Sequence, residues 1–192
     1  MALTGLDYLY ATTRQEWREW LHENHTKKQG VWLIQYKKGT GKPSLAWSDA
    51  VDEALCFGWI DSIKKRRDEE SSVQFFSKRK PTSTWSKINK EKVDRLIENG
   101  LMAPAGLKCI KMAKENGSWV CLDEVEALKI PKDLITAFKH YKGAKNYFDS
   151  LSKSTRKAML QWLVLAKREE TREKRVNEIA ALASRSLKPK QF

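Results

Sequence analysis

The sequence predicts an α+β protein that is mostly helical, with a small antiparallel or mixed sheet in its N-terminal part and a helical C-terminal part. Three observations carry that prediction. Residues 31–36 (VWLIQY) form a continuous apolar, β-branched run between Gly30 and Gly39. From Trp59 the apolar period becomes two, first along an outgoing segment and then along a returning one. After Trp119 only helical spacings remain. Strands gathered in one region with helices elsewhere define the α+β class.

In chain order, Thr13 followed by Glu16 is a capping box, and Trp17, Trp20 and Leu21 share a stripe, which predicts a helix to about residue 25. Residues 31–36 read as a strand buried on both faces, and 37–44 (KKGTGKPS) as a loop. Ser48 is expected to cap the next helix. Its Asp49, Asp52 and Glu53 favour the positive end, Val51, Ala54 and Leu55 turn inward, and Gly58 stops it. Trp59, Asp61 and Ile63 share one side of an extended segment. After a turn at 68–72, Val73, Phe75 and Ser77 share one side of its antiparallel return.

Pro81 blocks continuation of that strand, and a helix is expected over about 85–99 with Ile88, Leu96 and Ile97 inside. Pro104 opens another helix that ends at Asn116 and Gly117. Pro131, Gly143 and the hydroxyl cluster at 152–155 then divide the chain into short helices before two longer ones at 156–166 and 171–183. Met159, Trp162, Leu163 and Ala166 fit one face, and Val176, Ile179 and Leu182 the next, with Arg175 at its border. The tail 188–192 is expected to fray. The organisation expected is residues 1–117 with the sheet and 118–192 as a helical module packed on it, together one compact unit.

Hydrophobic residues are 41% and charged residues 32% of the 192, which excludes a disordered chain. No run approaches the roughly 18 apolar residues of a membrane span, so no membrane insertion is expected. The first ten residues lack the basic start and apolar run of an export signal, so the expected compartment is the cytoplasm. Cys56, Cys109 and Cys121 are far apart in sequence and suggest neither a disulfide framework nor a zinc site; no metal and no cofactor are expected. Thirty-seven Lys and Arg against 24 Asp and Glu leave +13, a field that attracts polyanions. Its dense points are 64–67, 78–80 and 167–175. Nucleic acid is therefore one partner class to weigh.

Several motifs fail on their chemistry. In GTGKPS the glycines are too close for a phosphate loop, and Pro43 lacks a needed N–H. His22 and His25 have metal spacing without a third ligand nearby. Cys56 beside Asp52 and Glu53 sits among charges that suppress a thiolate.

Polar chemistry concentrates in two places. Asp61 alternates onto the apolar side between Trp59 and Ile63 and needs a partner there; Arg79 and Lys80 end the opposite strand on the approach to Trp85. This set reads either as an internal ion pair or as a pocket with a carboxylate, a guanidinium and aromatic walls. In the second place, helical spacing puts Arg168, Arg172 and Arg175 on neighbouring turns, and Thr171 is placed to cap the final helix. Arginine forks grip carboxylate or phosphate, or they lock two helices through Glu–Arg pairs.

The runs ALCFGWIDSIKK, FFSKRKPTSTWSKINKEKVDRLIENGLMAPAG and WLVLAKREETREKRV resemble the YdeI/OmpD-associated, or bacteriocin-protection, family over about residues 17–183. The module that defines the family is matched at about 130–183, where Trp162 leads into Ala166, Lys167, Thr171 and Arg172. The resemblance implies a bacterial protein linked to protection from bacteriocins or antimicrobial peptides, with no settled reaction. It adds Trp59 and Asn89 to the candidates. The leading expectation is a binding or regulatory protein whose Trp59, Asp61, Arg79, Lys80, Trp85 and Asn89, joined by Arg168, Thr171, Arg172 and Arg175, hold a small anionic ligand. The rivals are nucleic-acid binding through the basic surface and an enzyme using Asp61 as base, the latter weakened because a neighbouring arginine lowers a carboxylate pKa.

Overall fold

A computed structural model describes residues 7–192; residues 1–6, which belong to the segment read for an export signal, lie outside it. The chain divides into two units, Met1–Trp119 and Val120–Phe192. Among the described residues no helix is long and apolar enough to cross a membrane.

In the first unit, β1 (Tyr8–Leu9) runs parallel to β2 (Gly30–Tyr36), while β3 (Trp59–Arg66) and β4 (Ser71–Lys78) form the antiparallel hairpin. β4 also pairs antiparallel with β2, giving a mixed sheet of order β1-β2-β4-β3. The double burial expected of β2 is observed. Val31 and Leu33 join Trp17, Leu55, Trp59 and Phe76 in the main core. Trp32 and Ile34 pack with Val73 and Phe75 on the other face. Gly30 begins this strand because a Cβ there would lie 2.4 Å from the Phe75 ring. β3 shifts register between Asp61 and Lys64, so Ile63 leaves the expected apolar side and is exposed.

Helix α1 (Arg14–Asn24) is capped by Thr13, whose hydroxyl accepts from the Glu16 amide at 3.2 Å. The Glu16 carboxylate reaches back to the amide of Thr12 at 2.7 Å. The Trp17 indole donates to the Ala50 carbonyl at 3.0 Å, tying α1 to α2 (Trp47–Cys56). α2 starts after Ala46, not at Ser48 as expected, and the Ser48 hydroxyl accepts from Lys92 Nζ at 2.8 Å instead. Asp52 and Glu53 are each 3% exposed, so they are not the solvated first-turn charges the sequence suggested. Glu53 binds Arg14 and Arg18, each at 2.7 Å, and Asp52 binds Lys92 and, at 2.5 Å, Arg95.

Helix α3 (Lys87–Glu98) begins two residues later than predicted, capped by Ser86, because Trp85 is fully buried ahead of it. Val93 and Leu96 are its buried residues, whereas Ile88 and Ile97 are exposed. The ion pairs of Lys92 and Arg95 with Asp52 fix that rotation. α4 (Pro104–Glu115) starts at the proline, as its fixed φ favours.

The second unit contains α5 (Asp123–Glu126), α6 (Lys132–Lys139), α7 (Ala144–Ser150), α8 (Lys153–Val164) and α9 (Glu169–Ala183), with no strand among its described residues. Leu134, Phe138, Phe148, Met159, Leu160, Leu163, Val176 and Ile179 form its core. Ser152 caps α8, accepting from the Thr155 amide at 3.1 Å. α9 begins after Arg168, so Thr171 lies inside the first turn and is not its cap. The tail does not fray in the expected way: Pro189 is buried, and the Phe192 ring packs edge-on against Trp162 at 5.7 Å.

Candidate functional site

Arg79 follows the last residue of β4, and its amide donates to the Gly58 carbonyl at 3.0 Å. Gly58 has φ +71, a conformation open to glycine, and it turns the chain from α2 into β3. Arg79 is 8% exposed. Its guanidinium carbon lies 3.6 Å from the Trp85 ring centroid, and Nη2 donates to the Thr84 carbonyl at 2.5 Å. Nε and Nη1 are shielded from solvent and have no acceptor among the described residues. Burial pushes this guanidinium down to about 10, with Cys109 and Asp61 opposing weakly. That displacement disfavours the charged form by roughly 3 kcal/mol, yet the group remains a cation at neutral pH.

Beside it is a cavity of about 310 Å³, walled by Trp59, Cys109 and Met112 and bordered by His25 and Lys108. Burial pushes the Cys109 thiol up while Arg79 draws it down. The arrangement is a buried positive charge with spare donors, flat apolar walls and a basic rim. Such a site suits an oxyanion on an apolar body.

The predicted residues do not all meet there. Trp59 lines the cavity, and Trp85 forms the plate under Arg79. Asp61 makes no ion pair with Arg79 or Lys80, contrary to one of the two readings of this set. Its register partner is Phe76, and Oδ2 accepts from the Trp47 indole at 2.9 Å and from the Gln74 amide at 3.4 Å. Lys80 is exposed and is absent from the cavity wall. Asn89 sits in the first turn of α3, where its amide donates to Ser86 Oγ at 3.3 Å. His25, Cys109 and Met112 carried no signal towards this cavity, because it forms only when α4 packs beside the α2–β3 turn.

The second cluster belongs to the second unit and is braced internally. Arg172 holds Asp133 through Nε at 2.6 Å and Nη2 at 3.2 Å, and donates from Nη1 to the Leu163 carbonyl at 3.1 Å. Arg175 donates to the Trp162 carbonyl at 2.5 Å and lies over the Trp162 ring at 4.8 Å. Two arginines thus satisfy carbonyls at the end of α8, where orphan acceptors accumulate. Arg168 is exposed at the start of α9. The cavity there, about 500 Å³, is lined by Asp133, Glu169 and Glu173 alongside Arg172, and three carboxylates against one paired arginine repel an anion.

No group of three or more metal-ligating side chains occurs among the described residues; the His25 ring packs on Phe57 at 5.2 Å. Cys56, Cys109 and Cys121 form no disulfide with one another.

No curated protein and no solved structure matches the chain. Residues 127–186 match the family described as bacteriocin-protection, YdeI or OmpD-associated, so that likeness covers the C-terminal part and not the 17–183 expected. Residues 9–109, which include Arg79 and Trp85, match a separate family model described as a domain of unknown function, DUF8412. Residues 127–186 are thus similar to the YdeI/OmpD-associated bacteriocin-protection family, and the chain, matched over more than half its length by the other model, belongs to the DUF8412 family.

Proposed function

We propose that this chain is a cytoplasmic binding protein whose first unit holds a small oxyanion, carboxylate or phosphate, on Arg79. One observation carries the reading: Arg79 is buried, and among the described residues two of its guanidinium nitrogens have no hydrogen-bond acceptor. A buried cation is ordinarily paired; here the partner role is left to a ligand. Arg79 itself lines the cavity, but both nitrogens are shielded from solvent, so an anion reaches them only when a neighbouring side chain yields, and the flexible Met112 is the lining residue best suited to do so. Trp59 and Pro81 supply apolar contact for the ligand body. Three cysteines without a disulfide among them fit a reducing compartment.

The test is thermal unfolding at fixed ionic strength with phosphate, acetate, benzoate and chloride. Saturable stabilisation by one oxyanion, lost in Arg79→Met and reduced in Arg79→Lys, is expected. An identical response of wild type and Arg79→Met to every anion would overturn the reading. The lysine variant keeps the charge but loses the fork, so it separates oxyanion recognition from general charge.

A further inference from the structure

The hairpin end of the sheet carries a feature independent of Arg79. The end of β2, the loop after it and the start of α2 enclose a groove of about 460 Å³ containing Lys37, Lys38, Lys42 and Lys64, with Tyr36 and Trp47 in its walls. A second hollow of about 480 Å³ shares Lys37, Lys64 and Ser72 with it and adds Lys65 and Arg66. The two hollows adjoin at these shared residues and form a basic channel around the end of the sheet, with Lys64 and Trp47 on one face and Lys65, beside Trp32, on the other.

Two of its cations are neutralised, Lys42 by Glu70 and Arg66 by Glu69. Among the described residues Lys37, Lys38 and Lys64 make no ion pair, and Lys65 lies over the Trp32 ring at 5.1 Å, also without a carboxylate. Three cations with no carboxylate partner, Lys37, Lys38 and Lys64, therefore lie along its Trp47 side. Trp47 is 49% exposed, yet its indole is held in place by Asp61 at 2.9 Å. A fixed aromatic plate beside a row of lysines is the arrangement that stacks an unpaired base while cations track the backbone.

We infer that this channel binds a single-stranded nucleic-acid segment, with phosphates on Lys37, Lys38 and Lys64 and one base on Trp47. Asp61 then acts as a positioning residue that keeps the indole in place. A duplex is disfavoured because its bases are already stacked on one another and leave no free face for Trp47.

The experiment measures fluorescence anisotropy of labelled 12-nucleotide dT and rU strands and of a 12-base-pair duplex, using the full chain. Either single strand is expected to bind, with affinity falling roughly 20-fold between 50 and 200 mM salt if three phosphates are contacted. Trp47→Ala is expected to weaken binding about tenfold, and Lys64→Gln to lower the salt slope by about 0.7. Both side chains are exposed, and an unchanged thermal midpoint checks the fold of each variant. Three results would each overturn the inference: no binding at 50 mM salt, equal binding by wild type and both variants, or tighter binding of the duplex. Arg79→Met is expected to bind the strands like wild type, which separates this channel from the oxyanion cavity.

Discussion

Arg79 in the first unit and Arg172 in the second are both candidate binding residues by sequence, but their surroundings differ in one respect. Arg172 has a carboxylate on two of its nitrogens and a carbonyl on the third. Arg79 has one carbonyl, an aromatic plate and two nitrogens with nothing to donate to. A satisfied arginine braces its own scaffold, whereas an unsatisfied buried one has binding capacity to spare. The contrast teaches that clustering of arginines in sequence says little about whether their donors are already used, which depends on partners that only the folded chain supplies.

The largest effect is expected from converting a paired buried cation into another Arg79. Asp52→Asn would leave Lys92, whose side chain is 12% exposed, without its carboxylate. A loss of about 3 kcal/mol is predicted, at the low end for a broken buried pair because Arg95 can turn to water. Denaturant unfolding measures it, and a loss below about 1 kcal/mol would show that burial of that pair counts for little.

Next comes the direct comparison. Arg172→Met removes a partly exposed ion pair and a carbonyl contact, and about 1–2 kcal/mol should be lost. Arg79→Met removes one carbonyl contact and a ring contact but also relieves the burial of an unpaired charge, so stability without ligand should change by less than about 1 kcal/mol. If Arg79→Met proved the more destabilising of the two, Arg79 would be a brace as well. The smallest effect belongs to Thr171→Ala: since Thr171 is not the α9 cap, the change should stay within about 0.5 kcal/mol, whereas loss of a true cap costs about 1 kcal/mol. Thermal unfolding distinguishes these values.

Much of the fold was legible because its signals are local. The double burial of β2, the hairpin, the Thr13 cap and the Pro104 start all follow from neighbouring residues. What was illegible depended on partners distant in sequence. Asp52 and Glu53 read as first-turn charges, and only the approach of α1 and α3 makes them the centres of ion-pair networks. Asp61 read as the ion-pair partner of Arg79 or Lys80, or as the carboxylate of a pocket with them, but the register shift in β3 and the position of Trp47 give it an indole instead. Ser48 and Thr171 had the chemistry of caps, yet the helices begin earlier. Arg79 and Trp85 were named from the sequence, but that two guanidinium nitrogens lack acceptors is a property of the packed chain alone.

The central claim is that Arg79 has donors reserved for a foreign oxyanion. It is tested most directly by nitrogen-15 NMR of the arginine Nε–H groups, with the Arg79 resonance assigned by its loss in Arg79→Met, during titration with phosphate and benzoate at constant ionic strength. The account predicts that the Arg79 signal shifts saturably and exchanges more slowly with solvent once the anion is bound, while the Arg172 signal stays in place. An Arg79 signal unmoved by every oxyanion, or one that moves no more than that of Arg172, would contradict it.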